Sequence, residues 1–379
     1  MNYASFLIKQ KRLQKDWSQE GLCRGICTTS YLSKIEKGKA KPSPEILHLL
    51  FERLGIEWHD EPGAADFVEQ AYDLLFSWEM DALKKKRKDP AWQRCALSPW
   101  GLDIQLLDRA ADDGEALDEA LEEWMDARQL ALQRTLQSRT EEAVRLYSCA
   151  FFCERASSIC YCRGDAAQAI EYAERANDLA AQEGRPLVMF FAQIIIGNSY
   201  SNLHDFASME RHYKAAQRLA RVTDEWENLE LIDYNIASTY IELGEYQKAY
   251  DYFSNLREYN RLCLHKLAIC CELLGKKDEA LAALNRAGEL EDGSPCQVEA
   301  KMCRVVRLRL MREDYLDREE YGEVLMEVFS LCRKYLPIGF SLFHLPWMLE
   351  WYEHRRQYKQ AYSLLLDFPE YRGKDTLKG

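Results

Sequence analysis

Gly25-Ile26-Cys27-Thr28-Thr29-Ser30-Tyr31-Leu32-Ser33-Lys34-Ile35-Glu36-Lys37-Gly38 is the stretch on which the reading of this chain turns. Thr28 suits a helix N-cap, because its hydroxyl can accept a backbone N–H left orphaned in the first turn, and Gly38 suits the left-handed residue at which a helix stops. Between them Leu32 and Ile35 stand three apart and share an inward face, while Thr29, Ser30, Ser33, Lys34 and Lys37 fall on the opposite face. No acid interrupts that outward face. One apolar seam and one stripe of hydroxyl and ammonium groups let a helix seat on its own domain and offer its other side to phosphates and base edges.

Upstream, Trp17-Ser18-Gln19-Glu20-Gly21-Leu22-Cys23 reads as a preceding helix capped by Ser18, with Leu22, Cys23 and Ile26 as the seam between the two. Tyr3 to Lys15 reads as a first helix with Phe6, Leu7 and Leu13 inward and Lys9, Lys11, Arg12 and Lys15 outward. Downstream, Lys39, Lys41 and Pro42 lead to Ser43-Pro44-Glu45, a cap, a proline at the first helical position and an acid near the positive helix end. That helix runs through Ile46, Leu47, Leu50 and Leu54 to Gly55. On these residues, 3 to 58 resemble an XRE (Cro/cI-type) helix-turn-helix domain, with a turn one residue shorter than in the commonest XRE sequences. Ser18-Gln19-Glu20, Gly25-Ile26-Cys27 and Ser30 to Gly38 resemble the variant found in the RRNPP quorum-sensing regulators. The resemblance implies that Gln19, Thr28, Thr29, Ser30, Tyr31, Ser33, Lys34 and Lys37 meet a double-stranded DNA operator and that Lys39 and Lys41 are placed for phosphates.

With 379 residues the chain is too long for one core, and 47% hydrophobic residues can fill more than one. The net charge of -12 hides a division. Residues 1 to 58 carry ten Lys/Arg against six Asp/Glu, a balance of +4, which leaves 40 against 56, or -16, for the rest. A basic head on an acidic body suits a DNA-docking module attached to a part that must stay off the phosphates. There is no secretory segment at Met1 and no apolar run of the roughly twenty residues that span a bilayer, so the thirteen cysteines are read as those of a reduced, cytoplasmic chain without a membrane. Cys149/Cys153 and Cys160/Cys162 form the one dense cluster, but they lack a partner CxxC or a nearby His and read as small apolar filler. The chain has no phosphate-cradling glycine loop, no HExxH and no GxSxG, and its seven histidines are scattered. No enzymatic activity, cofactor or metal is expected.

Residues 55 to 63, with Asp60, Glu61 and Pro62, read as a hinge. From Ala64 an amphipathic helix is expected, with Phe67, Ala71, Leu74, Leu75, Trp78 and Leu83 on one side and Lys84 to Lys88 at its end; the resemblance implies a linker helix there. Beyond residue 90 no strand-like alternation appears, and one phrase recurs: a small or polar residue, four residues, then a small residue opening an amphipathic helix. It stands at Gly164 to Ala169, His204 to Met209, Gly244 to Ala249, Gly275 to Ala280 and Arg356 to Ala361, with room for a divergent unit around 295 to 335. Helix pairs recurring in this way mark a solenoid. Gly244-Glu245-Tyr246-Gln247-Lys248-Ala249-Tyr250, with Tyr240 a turn upstream, resembles a tetratricopeptide (TPR) repeat, as does Gly164 to Ala169. The expected fold is all-α: a five-helix XRE domain over 1–62, a linker helix over 63–90 and a TPR-like right-handed α-solenoid over 91–379.

In a stack of helix pairs the first helix of each pair lines the concave side. Counting back from each turn by the TPR pattern puts Glu154, Arg155, Ser158, Ile194, Asn198 and Asn202 there, then Tyr234, Asn235, Ser238, Glu242, His265, Lys266, Trp347 and Glu350. An Asn amide can donate to one peptide group and accept from another, so Asn198, Asn202 and Asn235 read as backbone clamps, and Arg155 and Lys266 as holders of a carboxylate. The aromatic tail from Leu336 through Phe340, Phe343, Trp347, Trp351 and Tyr352 reads as a packed capping unit or a dimer surface. The resemblance implies a homodimeric transcriptional regulator that binds a short signalling peptide. Two alternatives stay open: a DNA-binding repressor with a scaffold solenoid and no peptide, and a Rap-like peptide-regulated phosphatase or sequestering protein.

Overall fold

The computed structural model describes residues 2–58, 62–112, 114–223, 226–256 and 259–368, and among them every regular element is a helix. Asp60 and Glu61 of the expected hinge lie outside the described residues. The chain forms two compact units, Met1–Ala156 with Arg175–Met189, and Ser157–Glu174 with Phe190–Gly379.

The first unit opens with α1 (Asn2–Gln14), α2 (Gln19–Cys23), α3 (Thr29–Glu36) and α4 (Pro44–Leu54). They close on Ala4, Ile8, Leu22, Cys23, Leu32, Ile35, Leu50, Phe51 and Leu54. The caps are those the sequence suggests: Ser18 accepts from Gly21 N at 3.0 Å, Thr28 from Tyr31 N at 3.2 Å and Ser43 from Ile46 N at 3.4 Å. Leu13 is not inward; it is 54% exposed. The buried stripe of α1 runs from Ala4 to Ile8 and is continued by Arg12, whose guanidinium pairs with the buried Glu36, so the next place on that face is already taken.

The unit continues with α5 (Ala64–Phe76), α6 (Met80–Lys86), α7 (Pro90–Ala96), α8 (Gly101–Ala111), α9 (Ala127–Leu136) and α10 (Thr140–Leu146). The single helix expected from Ala64 is two helices, divided at Trp78, where φ is 61°. The division between the units falls within α11 (Ala150–Arg163), α12 (Ala166–Glu183) and α13 (Pro186–Asn202). The second unit then adds α14 (Phe206–Thr223), α15 (Trp226–Glu242), α16 (Tyr246–Ser254), α17 (Arg261–Leu273), α18 (Lys277–Glu289), α19 (Val298–Met311), α20 (Glu319–Tyr335), α21 (Ile338–His354) and α22 (Tyr358–Leu366).

The recurring phrase has a backbone meaning. Gly164, His204, Gly244, Gly275 and Arg356 all have positive φ, between 57° and 86°, and the residues five further on, Ala169, Met209, Ala249, Ala280 and Ala361, are buried. Each turn carries the same pair of hydrogen bonds, as at Gly164, where Gly164 N donates to Tyr161 O and Asp165 N to Cys160 O, both at 3.0 Å. This is the paired pattern that ends a helix on one left-handed residue, and it favours glycine because no Cβ meets the following carbonyl there. Trp78 with Leu83 and Ser138 with Ala143 repeat it, so α5/α6 and α9/α10 turn in the same way as the later pairs. The solenoid character of the fold rests on these turns. Close approaches also join neighbouring helices: a Cβ on Gly197 would lie 2.6 Å from the Tyr213 ring, and one on Gly322 would overlap the Trp351 ring.

Candidate nucleic-acid face and ligand cleft

The outward face of α3 is open. Thr28, Thr29, Ser30, Lys34, Lys37, Lys39 and Lys41 are exposed, while Tyr31 and Ser33 are half-buried. Tyr31 Oη donates to Lys41 O at 3.1 Å and so ties the start of α3 to the basic loop behind it. Under this face lies a charged knot. Arg12 Nε donates to Glu36 Oε1 at 2.5 Å and Nη2 to Oε2 at 3.0 Å, Gln19 Nε2 donates to the same Oε2 at 2.7 Å, and Arg12 Nη1 reaches Trp17 O at 2.7 Å. Glu36 raises the affinity of the Arg12 guanidinium for its proton. Arg53 Nη1 holds the carbonyls of Leu22 and Arg24 at 2.8 and 2.6 Å, which pins the end of α2 to α4. The knot fixes the angle between α2 and α3, and with it the spacing of the exposed side chains. It also takes up part of Gln19: one N–H of its NH2 goes to Glu36, which leaves the second N–H as a donor and the carbonyl oxygen as an acceptor for an outside partner.

The second unit contains a cleft of two lobes that share Asn202, Glu242 and Phe343. The outer lobe, about 260 Å³, is walled by Ile241, Ile269, Leu273, Leu342, Phe343, Pro346 and Trp347, with Tyr246, His204, Glu272 and Arg309 as polar members. Arg309 is fully engaged: Nε meets Glu272 Oε1 at 2.8 Å, Nη1 meets Glu350 Oε2 at 3.1 Å, and the guanidinium lies 4.9 Å from the Trp347 ring centre. Burial pushes the Glu272 carboxyl up and Arg309 opposes it. The inner lobe, about 90 Å³, is lined by Tyr161, Asn198, Ser201, Tyr213, Tyr234, Asn235, Ser238, Thr239, Lys266, Gly339 and Phe340. Asn198 Oδ1 accepts from Tyr213 Oη at 2.5 Å and from Asn235 Nδ2 at 3.1 Å. Asn198 Nδ2 and Asn235 Oδ1, which these bonds leave over, offer a donor group and an acceptor, the complement of a peptide group.

Residues 8–60 match the sequence model of the helix-turn-helix family. They are an XRE-type helix-turn-helix domain. No curated protein matches the chain. Among solved structures, a Rap protein complexed with competence and sporulation factor is similar at 15% identity and a TM-score of 0.56, over 81% of this chain and 98% of that one. The apo form of the quorum sensor NprR from B. thuringiensis gives 14% identity and a TM-score of 0.45 over 94% and 98%. Bacillus thuringiensis PlcR in complex with the peptide PapR7 and DNA gives 15% and 0.29 over 61% and 99%. The fold shared with Rap is a TPR-like helical solenoid.

Behind the XRE domain, the residues expected along a groove come together only in part. Asn198, Asn202, Tyr234, Asn235, Ser238, Glu242 and Lys266 line the cleft, and Trp347 joins them in the outer lobe. Arg155 is not among the lining residues; within the first unit it borders a hollow of about 390 Å³ with Trp78 and Lys84. Its neighbour Glu154 is 4% exposed, accepts from Trp78 Nε1 at 3.2 Å and has its carboxyl pushed up to about 7 by burial. Counting along the repeat correctly chose a helix face, but at α11 that face is packed against Trp78. His265 is also a correction: it is 1% exposed, stacked on His344, with both ring nitrogens unpartnered. It stands beside Lys266 on α17 and points into the packing. The aromatic tail is split: Phe340, Phe343 and Trp347 of α21 line the cleft, whereas Trp351 and Tyr352 pack in the core of α19 to α22. A signal for this was present in Gly339, where a Cβ would meet Tyr161 Oη at 3.4 Å and Asn202 Oδ1 at 3.5 Å. Among the described residues no helix is long and apolar enough to cross a membrane.

Proposed function

We propose that this chain is a cytoplasmic transcriptional regulator of the RRNPP kind, in which residues 1–62 dock on a DNA operator, 63–90 connect, and 91–379 receive a short signalling peptide and dimerise. The observation that carries the reading is the hydrogen-bonded pair Asn198–Asn235 in an apolar-walled cleft, with a leftover donor and acceptor matched to an extended backbone. In the head, Gln19, Thr28, Thr29, Ser30, Tyr31, Ser33, Lys34 and Lys37 are the groups for the duplex, with Lys39 and Lys41 on its phosphates. Two heads reading two half-sites about one helical turn apart, or a multiple of it, require a homodimer. Peptide in the cleft shifts the population between two arrangements of the solenoid and so resets the spacing of the heads.

The experiment is a titration of the full chain with short peptides encoded beside its gene, with operator retardation as a second readout. Saturable binding lost on Asn235→Ala, with DNA retardation lost on Lys34→Ala plus Lys37→Ala, supports the reading. Retardation without binding of any peptide favours a scaffold solenoid. The fold shared with Rap keeps a sequestering or phosphatase body as the second reading, and failure of the chain to retard any DNA would favour it.

A further inference from the structure

We propose that the inner lobe of the cleft is a carboxylate site, in which Lys266, Tyr234 and Ser238 together receive a free carboxylate of the ligand. This deepens the peptide reading and rests on it.

Lys266 is 5% exposed. Its ammonium lies 2.9 Å from the centre of the Phe343 ring, and no hydrogen bond or ion pair reaches it among the described residues. A buried cation is tolerated when an anion and hydrogen-bond acceptors replace the lost water; an aromatic face replaces only part of it. Arg309, in the adjoining lobe, has two carboxylates within 3.1 Å. Lys266 has none within ion-pairing distance. The same lobe is lined by two further hydroxyl residues, Tyr234 and Ser238, a turn apart on α15, whose buried oxygens lie beside each other and have no other hydrogen-bond partner among the described residues. An ammonium and a hydroxyl pair among the residues lining a space of about 90 Å³ supply donors of the kind that one carboxylate accepts. A backbone carbonyl would satisfy one donor and leave the charge unbalanced. Next to it, the apolar wall of Ile241, Ile269, Leu342 and Trp347 suits the aliphatic or aromatic side chains of the residues beside that carboxylate.

Binding is coupled to proton uptake. The groups facing Lys266 are Glu242 from α15, His265 and Cys270 from its own helix, Cys332 from α20 and His344 from α21. Burial keeps both imidazoles neutral and pushes the two thiols up to about 12, so the exposed Glu242 is the one carboxyl among them. Burial lowers Lys266 to about 7. A carboxylate in the lobe favours the ammonium form, so Lys266 Nζ takes one proton from solvent on binding above neutral pH.

The test uses the full chain and two equimolar random heptapeptide libraries, one with free carboxyl termini and one amidated, with retained peptides identified by mass spectrometry. The free-acid library is expected to be retained about tenfold better, equivalent to about 1.4 kcal/mol, with apolar residues enriched near the terminus. An amidated library retained just as well but enriched in Asp or Glu also supports the site and assigns the carboxylate to a side chain. Lys266→Met abolishes either preference, whereas Asn235→Ala lowers retention of both libraries. Calorimetry of a retained peptide in two buffers of different ionisation heat, at about pH 8, should read uptake of close to one proton, absent in Lys266→Met. Equal retention of both libraries without acidic enrichment overturns the carboxylate site while leaving peptide binding standing. No retention from either overturns the peptide reading and this inference with it.

Discussion

Arg12 in the head and Lys266 in the cleft are both cations withdrawn from water, and the chain surrounds them in opposite ways. Arg12 has both oxygens of Glu36 and the carbonyl of Trp17, and Gln19 shares the carboxylate. Lys266 has the face of Phe343. A buried charge whose partners are complete is part of the frame, because every group in the knot would be orphaned by the loss of another. A buried charge whose partners are missing costs stability while the site is empty, and that stability can be recovered by a ligand. The difference separates a region built to hold a shape from one built to receive something.

Four variants sharpen or erase that difference. The largest effect is expected from Glu36→Ala, which strands Arg12 at 11% exposure and should destabilise the head by about 3 kcal/mol in denaturant unfolding; a loss below about 1 kcal/mol would make the knot dispensable. Glu154→Gln comes next. The Glu154 carboxyl is raised to about 7 in the folded chain, above its unfolded value, so its contribution is fully present below about pH 4 and is lost as pH rises through 7. The glutamine keeps an acceptor for Trp78 and should raise stability near pH 8 by about 2 kcal/mol while removing that pH dependence, read as melting temperature against pH. Lys266→Met should have the opposite sign to Glu36→Ala. Because Lys266 is lowered to about 7 from an unfolded value of roughly 10.4, its destabilisation is complete below 7 and fades as pH rises toward 10. At neutral pH the empty variant should be more stable by about 1 kcal/mol, and a destabilised variant would mean that Lys266 is part of the frame after all. Smallest in stability is Lys34→Ala plus Lys37→Ala, within about 0.5 kcal/mol, since both side chains are exposed; its effect belongs to DNA, where the salt slope of binding should fall by about two.

Much of the architecture was legible because it is written in local chemistry. Thr28, Ser18 and Ser43 cap helices whichever fold they belong to, and glycine at 164, 244 and 275 marks a left-handed turn by having no Cβ. The turns at Trp78 and Ser138 were missed for the same reason: a tryptophan or serine at positive φ leaves no compositional mark, so α5 and α6 read as one helix. The cleft was half legible. Asn198 and Asn235 followed from the repeat spacing, but their bond to each other depends on how α13 packs on α15, and the arrival of Phe340 and Phe343 beside them depends on α21, more than a hundred residues further along. Arg155 borders a different hollow, beside Trp78, because periodicity names a face and says nothing of what packs on it.

By itself the amino-acid sequence determined the XRE head with its basic outward helix, the all-helical body and the period of its turns, since capping, backbone preference and apolar spacing act within a few residues. Only the tertiary structure decided which polar side chains ended with partners and which without. Whether Arg12 meets Glu36, or Lys266 meets a ring and, among the described residues, no hydrogen-bond or ion-pair partner, depends on helices brought together from distant parts of the chain, and burial turns the missing partner into a free energy that a ligand can reclaim.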